Sequence, residues 1–270
     1  MPKSKMVLLV NIPSMNDLPA SERWLLKEHA QETVSWIGPW LDEYVSYRIV
    51  PPPWDMFDAA MGFGYYNWRV TNHVYNDIPP PPMKMWTNLA PVPHPVRPQA
   101  RSLDQIYDNK VNGRREAPHM HVLCYVPLEP TQDFVGRELK AADKTILRWI
   151  SVFKYPEGVP VEEGERWYLD VHSREVMRQQ GLTRFYSFRT IDFPGHSPYP
   201  WHRVSEMWYE NFDGWKKSVV DSPPAYTPPP WASHDTYPYL KPYVDFASAF
   251  ILERPTNDFL RDYMGYFVHV

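Results

Sequence analysis

The chain has 270 residues, 43% of them apolar and 16% aromatic, and a net charge of −4. That composition supports a sizeable core, and the lack of any basic cluster argues against a nucleic-acid or anionic-membrane partner. A single cysteine, Cys124, excludes an internal disulfide and any CxxC metal or redox pair, and no apolar run approaches the length of a membrane span.

Residues 6–13 form a short apolar run closed by Pro13, the pattern of a first strand and too short for a signal peptide. A cytoplasmic location is therefore expected. A helix follows at 22–32, opening Glu22-Arg23-Trp24. That segment recurs 143 residues later at 165–175, with six of eleven positions identical. Within the helix, i, i+4 and i+7 spacing puts Leu25, His29 and Glu32 on one face, and likewise Tyr168, His172 and Glu175. The aromatic, alternating segments 44–48 and 185–189 pair at an offset of 141 and read as second strands. Third strands pair 69–75 with 203–209, and fourth strands pair 119–126 with 244–251. A second helix is expected near 212–220; the first half has proline-rich chain there, with a short helix near 103–107. Pro130-Thr131-Gln132-Asp133-Phe134 also recurs, as Pro255-Thr256-Asn257-Asp258-Phe259.

The changes of offset fall between elements, where length changes cost least. Each half thus reads as β-α-β-β-α-β, a ferredoxin-like unit. The expected fold class is α+β, two such units fused into a pseudo-dimeric α/β barrel. The first repeat spans 1–134, a helical linker 135–147, and the second repeat 148–270. The chain contains 31 prolines, concentrated in stretches such as 51–53, 79–98 and 223–242, which read as extended loops. The last two are expected to wrap over the barrel, with Trp86, Tyr226, Trp231 and Tyr237 as apolar anchors.

Lys154-Tyr155-Pro156-Glu157-Gly158-Val159, Trp167-Tyr168-Leu169-Asp170-Val171-His172, and Val204-Ser205-Glu206-Met207-Trp208-Tyr209 running into Phe212-Asp213-Gly214-Trp215 resemble motifs of the dimeric α/β-barrel superfamily. The likeness is to its EthD-like branch. It covers the second half directly and the first through the repeat. The resemblance implies a cavity between sheet and helix or between facing sheets, and cofactor-free cyclase, isomerase or monooxygenase chemistry, with heme-dependent branches. It also implies that His29 and His172 are cavity residues.

Imidazole exchanges protons near neutral pH, and Glu32 and Glu175 follow the two histidines by one turn, placed to orient the rings and raise their pKa. Packing or capping is the competing role. His119 and His121 share a strand face with Leu123 and Tyr125, opposite Met120, Val122, Cys124 and Val126. The purely apolar face is expected to pack on helices and the histidine face to look into the barrel. His119 and His121 can also bind a divalent metal completed by His73 or His29, although no supporting third-ligand spacing is evident. Arg48 and Arg189, on strands with Tyr47 and Phe188, can anchor a carboxylate or phenolate, or close surface ion pairs with Glu43 or Asp192, the expected role. Trp24 and Trp167 read as core. Asn72, His73 and Glu206 are third-strand polar groups whose facing the pattern leaves open, and Trp208 lies on the same strand.

The catalytic candidates are therefore His29, His119, His121 and His172, with Tyr47, Arg48, Asn72, His73, Tyr125, Arg189 and Trp208 as substrate contacts and no metal. No nucleophile elbow, Walker loop or dinucleotide fingerprint occurs. The expected activity is cofactor-independent acid-base catalysis, of lyase, isomerase or cyclase type, on an aromatic or cyclic and mostly apolar compound. Heme binding and non-catalytic ligand binding are the alternatives. The expected partner is this small molecule alone, and the chain is a monomeric pseudo-dimer or a homodimer.

Overall fold

The structure is a computed structural model that describes residues 3–12, 15–76, 110–111, 114–115, 121–135, 146–191, 201–221, 226–232 and 235–264. The first half begins with β1 (Ser4–Val10), followed by helix α1 (Leu18–Trp24), a π turn (Leu25–His29) and α2 (Ala30–Ile37). β2 (Leu41–Arg48), α3 (Phe57–Gly62) and β3 (Arg69–Tyr75) come next. A small hairpin of β4 (Lys110–Val111) and β5 (Arg114–Arg115) precedes β6 (His121–Pro127) and β7 (Gln132–Val135). The second half runs β8 (Leu147–Phe153), α4 (Val161–Trp167), a π turn (Tyr168–His172), α5 (Ser173–Val176), β9 (Leu182–Arg189), β10 (Arg203–Tyr209), α6 (Phe212–Trp215), a π turn (Lys216–Asp221), β11 (Phe246–Leu252), β12 (Asn257–Asp258) and α7 (Phe259–Met264). The linker helix expected at 135–147 and the short one near 103–107 lie largely or wholly outside the described residues, as does the 79–98 stretch with Trp86.

The strands form two five-stranded antiparallel sheets, ordered β12-β2-β3-β1-β6 and β7-β9-β10-β8-β11. Four consecutive strands of each, β2-β3-β1-β6 and β9-β10-β8-β11, follow the ferredoxin-like order, so the fold is α+β, two ferredoxin-like units making one pseudo-dimeric barrel. The fifth strand of each sheet, at one edge, comes from the other half, as β12 pairs with β2 and β7 with β9. The repeated Pro-Thr-x-Asp-Phe motif explains this exchange. Thr256 Oγ1 accepts from the Arg48 backbone N–H and Thr131 Oγ1 from that of Arg189, both at 2.9 Å. The variable residue of each motif, Asn257 or Gln132, accepts from Arg69 or Arg203 at the start of the third strand. The motif phenylalanines then pack on the receiving sheet, Phe259 on Tyr44 and Phe134 on Phe185.

Two seams close the barrel. Val50 N–H donates to Phe250 O at 2.7 Å, and Ile191 N–H donates to Tyr125 O at 2.8 Å. Chain from Phe63 to Tyr66 also runs along the outer edge of β11, where Gly64 has φ +59° and an added Cβ would lie 2.2 Å from Phe246 O. No L side chain fits there without displacing the seam. Helix α3 was not expected from the sequence: the prolines at 51–53 sit just before it and not within it, so they set its entry and do not prevent it.

Side-chain alternation sorts each strand of the first sheet between two cores. Met6, Tyr44, Trp68, Tyr75 and Tyr125 pack with Leu25, Ala30, Val34 and Ile37 of the helical layer. Val7, Leu9, Val45, Tyr47, Val70, Val122, Cys124 and Val126 pack with the second sheet. This reverses the expected facing of β6: Leu123 and Tyr125 lie under the helices, while Cys124 and its neighbours look across the barrel. Alternation separated the two sets correctly but carries no information about which layer each meets. Among the described residues no helix is long and apolar enough to cross a membrane.

Candidate functional site

A cavity of about 260 Å³ lies between the first sheet and its helical layer. Its walls come from β1 (Met6, Leu8, Val10), the helical segment (Trp24, Leu25, His29, Thr33, Ile37), the central strands (Tyr44, Arg69, Thr71, His73) and β6 (Leu123, Tyr125), with Trp68 beside them. Most of that surface is apolar, so a few polar atoms carry its chemistry.

His29 owes its position to the π turn. The Ala30 N–H reaches back to Leu25 O, five residues away, which widens the helix by one residue there. Trp24 and His29, also five apart, therefore stack at 4.5 Å between ring centres. The same turn recurs in the second half and stacks Trp167 on His172 at 5.0 Å. The simple i, i+4, i+7 face expected for Leu25, His29 and Glu32 is thus interrupted at the histidine. The expected help from a carboxylate is absent as well. Burial alone lowers His29 to about 4. Glu175 accepts instead from Thr227, from its N–H at 2.9 Å and its Oγ1 at 2.6 Å.

His73 shares the cavity with His29. Burial, then the neighbouring His29, lowers it to about 3. The ring stands edge-on to Tyr44 at 4.2 Å, and its Nδ1 is buried without a hydrogen-bond partner. Both imidazoles are consequently neutral at physiological pH and able to accept a proton or a hydrogen bond. At one wall, Arg69 is held by Glu22, with Nε 3.0 Å from Oε1 and a second contact from Nη2 to Oε2. Burial would raise the Glu22 carboxyl, but hydrogen bonds and charge from Arg69, with further bonds from Arg48 and Trp68, hold it below its usual value. Arg203 and Glu165 repeat this buried pair in the second half. Neither pair was singled out from sequence, although all four residues sit at matched places in the repeated segments.

In the second half, different and mostly larger side chains stand at the corresponding places. Trp149 stands where the first sheet has Met6, Phe153 where it has Val10, Tyr168 where it has Leu25, and Met207 where it has His73. Phe153 and Tyr168 lie 5.3 Å apart, and the Tyr168 hydroxyl is 2.8 Å from Ser205 Oγ. His172 is enclosed by Trp167, Tyr168, Tyr226 and Tyr237, its Nδ1 has no partner, and burial lowers it to about 3. Tyr226, Trp231 and Tyr237 of the second proline-rich stretch pack over this half as expected, with Tyr226 also accepting from Gln179 at 2.6 Å.

The remaining candidates scatter. His73 and Tyr125 join His29 at the cavity. Tyr47, Asn72 and Trp208 lie on the opposite strand faces, between the sheets, so they cannot line the same site. Arg48 reaches Glu22 at 3.1 Å in place of Glu43, and Arg189 is exposed. His119 lies outside the described residues; for His121 only the backbone, at the start of β6, is described. Among the described residues no group of three histidine, cysteine or acidic side chains is arranged to hold a metal.

Residues 2–88 match the model of the chalcone isomerase N-terminal domain family. No curated protein sequence matches the chain. Among solved structures, an anthrone oxidase-like protein is 8% identical, with 95% of this chain and 94% of that one covered at a TM-score of 0.47. A mutant chlorite dismutase from Candidatus Nitrospira defluvii, in complex with cyanide, is 9% identical, with 93% and 90% covered at 0.39. An EthD family protein from Bacillus halodurans is 16% identical, with 28% and 72% covered at 0.25.

Proposed function

We propose that this chain is a small-molecule enzyme that works in the first-half cavity without a dissociable cofactor. The reaction class is isomerisation, cyclisation or elimination on an aromatic or cyclic, mostly apolar compound. The observation that carries this reading is the pair of neutral imidazoles, His29 and His73, opening together into an otherwise apolar cavity. Such reactions conserve atoms and electrons, so a proton acceptor and donor correctly placed are sufficient. The match of residues 2–88 to the chalcone isomerase N-terminal domain supports the reading, because that segment holds every cavity residue except Leu123 and Tyr125.

His29 is the proposed proton-transfer group and His73 its partner. A phenolate or enolate forming beside them favours the imidazolium and raises both rings from their depressed resting values, so proton uptake is coupled to substrate charge. Arg69, already paired with Glu22, contributes a fixed positive edge at the wall. The same reading takes the two halves as tandem copies of one unit, of which the first retains the open cavity. It also takes the chain as a self-contained pseudo-dimer.

Turnover of a hydroxylated chalcone, followed by loss of its long-wavelength absorbance, tests the proposal. His29→Ala is expected to lower kcat/KM by roughly 10²–10⁴-fold, the usual worth of a general acid-base group. Unchanged turnover in both His29→Ala and His73→Ala rules the proposal out. A ligand that raises the melting temperature and is recovered unaltered indicates a binding protein instead.

A further inference from the structure

The face of the first sheet turned away from the histidine cavity meets the second sheet, and there the two differ at charged positions, with Glu43 where the second sheet has Arg184 and Asn72 where it has Glu206. In the second sheet Arg148, the second residue of β8, bonds Glu206, the fourth residue of β10, with Nε and Nη2 at 3.1 and 2.8 Å from Oε2. In the first sheet the same two places hold Lys5 on β1 and Asn72 on β3. An amide carries no charge, so the lysine lacks the carboxylate its counterpart has. Asn72 Oδ1 is buried without a hydrogen-bond partner. Among the described residues Lys5 Nζ makes no hydrogen bond or ion pair, and it sits 4.5 Å above the centre of the Phe188 ring.

The charged and titratable neighbours come from four strands. Glu206 on β10 favours the ammonium most, but Arg148, the Tyr186 hydroxyl at 2.6 Å and Trp208 Nε1 at 3.3 Å already converge on its Oε2. Arg148 on β8 opposes the ammonium, and Glu43 on β2 favours it more weakly. Cys124 on β6 is a thiol at neutral pH, since burial pushes it up to about 12. Burial outweighs these attractions and holds Lys5 below the ordinary lysine value. Lys5 as a residue is half-buried.

We propose that Lys5 is a nucleophilic amine that captures small aldehydes or ketones as an imine between the two sheets. The amine lone pair adds to the carbonyl carbon and a proton moves from nitrogen to oxygen. Loss of water from this carbinolamine leaves the C=N bond, with nothing oxidised or reduced. The flat face of Phe188 beneath the amine suits an aryl carbonyl. Because Met6 lines the histidine cavity and Lys5 points to the other face of β1, this site does not depend on the function proposed for that cavity.

The full-length protein treated near pH 7 with benzaldehyde and cyanoborohydride, then digested for mass spectrometry, reads adduct formation lysine by lysine. Lys5 is expected to label several-fold faster than Lys3, an exposed lysine paired with Asp42 at 2.7 Å. Lys5→Met removes that adduct alone. Asn72→Asp supplies the missing carboxylate and slows Lys5 to the rate of Lys3. Labelling of Lys5 no faster than Lys3 in the unaltered protein overturns the proposal, and that comparison needs no variant to fold. Undiminished labelling in a folded Asn72→Asp protein overturns the role given to the missing charge.

Discussion

Three histidines, His29, His73 and His172, are held neutral by burial, at about 4, 3 and 3. The unfolded chain protonates the same rings near 6.5, so between roughly pH 6.5 and 4 it binds more protons than the native state. Stability therefore rises with pH across that window and levels off above it. Each histidine contributes a slope of up to about 1.4 kcal/mol per pH unit. Urea unfolding from pH 4.5 to 8 is expected to show a midpoint that falls on the acid side. His172→Phe, which keeps the aromatic stack, should make that fall shallower by one histidine's share. A midpoint independent of pH below 6.5 would mean the rings are more hydrated than their enclosure indicates.

Edge strands and helix α7 couple the two halves element by element. Phe259 begins α7, belongs to the second half of the chain, and is 1% exposed beneath the first sheet. It packs on Tyr44, which in turn stands against His73 in the cavity wall. Phe259→Ala removes a buried ring and is expected to cost about 3–5 kcal/mol by denaturation. It should also weaken ligand binding at the cavity, because Tyr44 loses its support; calorimetric titration on the folded variant checks this. Equal ligand affinity in variant and parent would show that Tyr44 is held by its own sheet alone. The paired π turns act at the same scale: by adding one residue to a helical turn, each turns a histidine onto the tryptophan five positions earlier.

For the whole molecule, each half lends its last strand to the other, and two seams join the sheets. Neither half completes its own sheet, and a bare β2 or β9 edge invites pairing with another chain. Residues 1–134 expressed alone are therefore expected to self-associate, as read by sedimentation. The intact chain is expected to unfold in one transition by both fluorescence and circular dichroism. A monomeric, cooperatively folded 1–134 fragment would contradict this mutual dependence.

Much of this architecture was legible in the sequence, because strand and helix identity follow from local periodicity. β3 and β10 coincide with the expected third strands, and the repeated helix, histidines and Pro-Thr-x-Asp-Phe motif marked positions that correspond in space. Alternation also divided β6 correctly into two faces. What it could not supply was which face meets helix and which meets sheet, since that depends on partners distant in the chain. For that reason Tyr47, Asn72 and Trp208 are grouped with His73, although they lie between the two sheets, on the side of the first sheet away from the cavity. The π turns are likewise invisible to a pattern that assumes regular helix, and the buried Glu22–Arg69 pair joins residues 47 positions apart. The sequence by itself determined the elements, their order and the doubled plan. The tertiary structure alone decided that the halves exchange edge strands and that Trp149, Phe153 and Tyr168 are buried at the places whose counterparts Met6, Val10 and Leu25 line the cavity beside His29 and His73. Side-chain volume acts only once the layers are packed together.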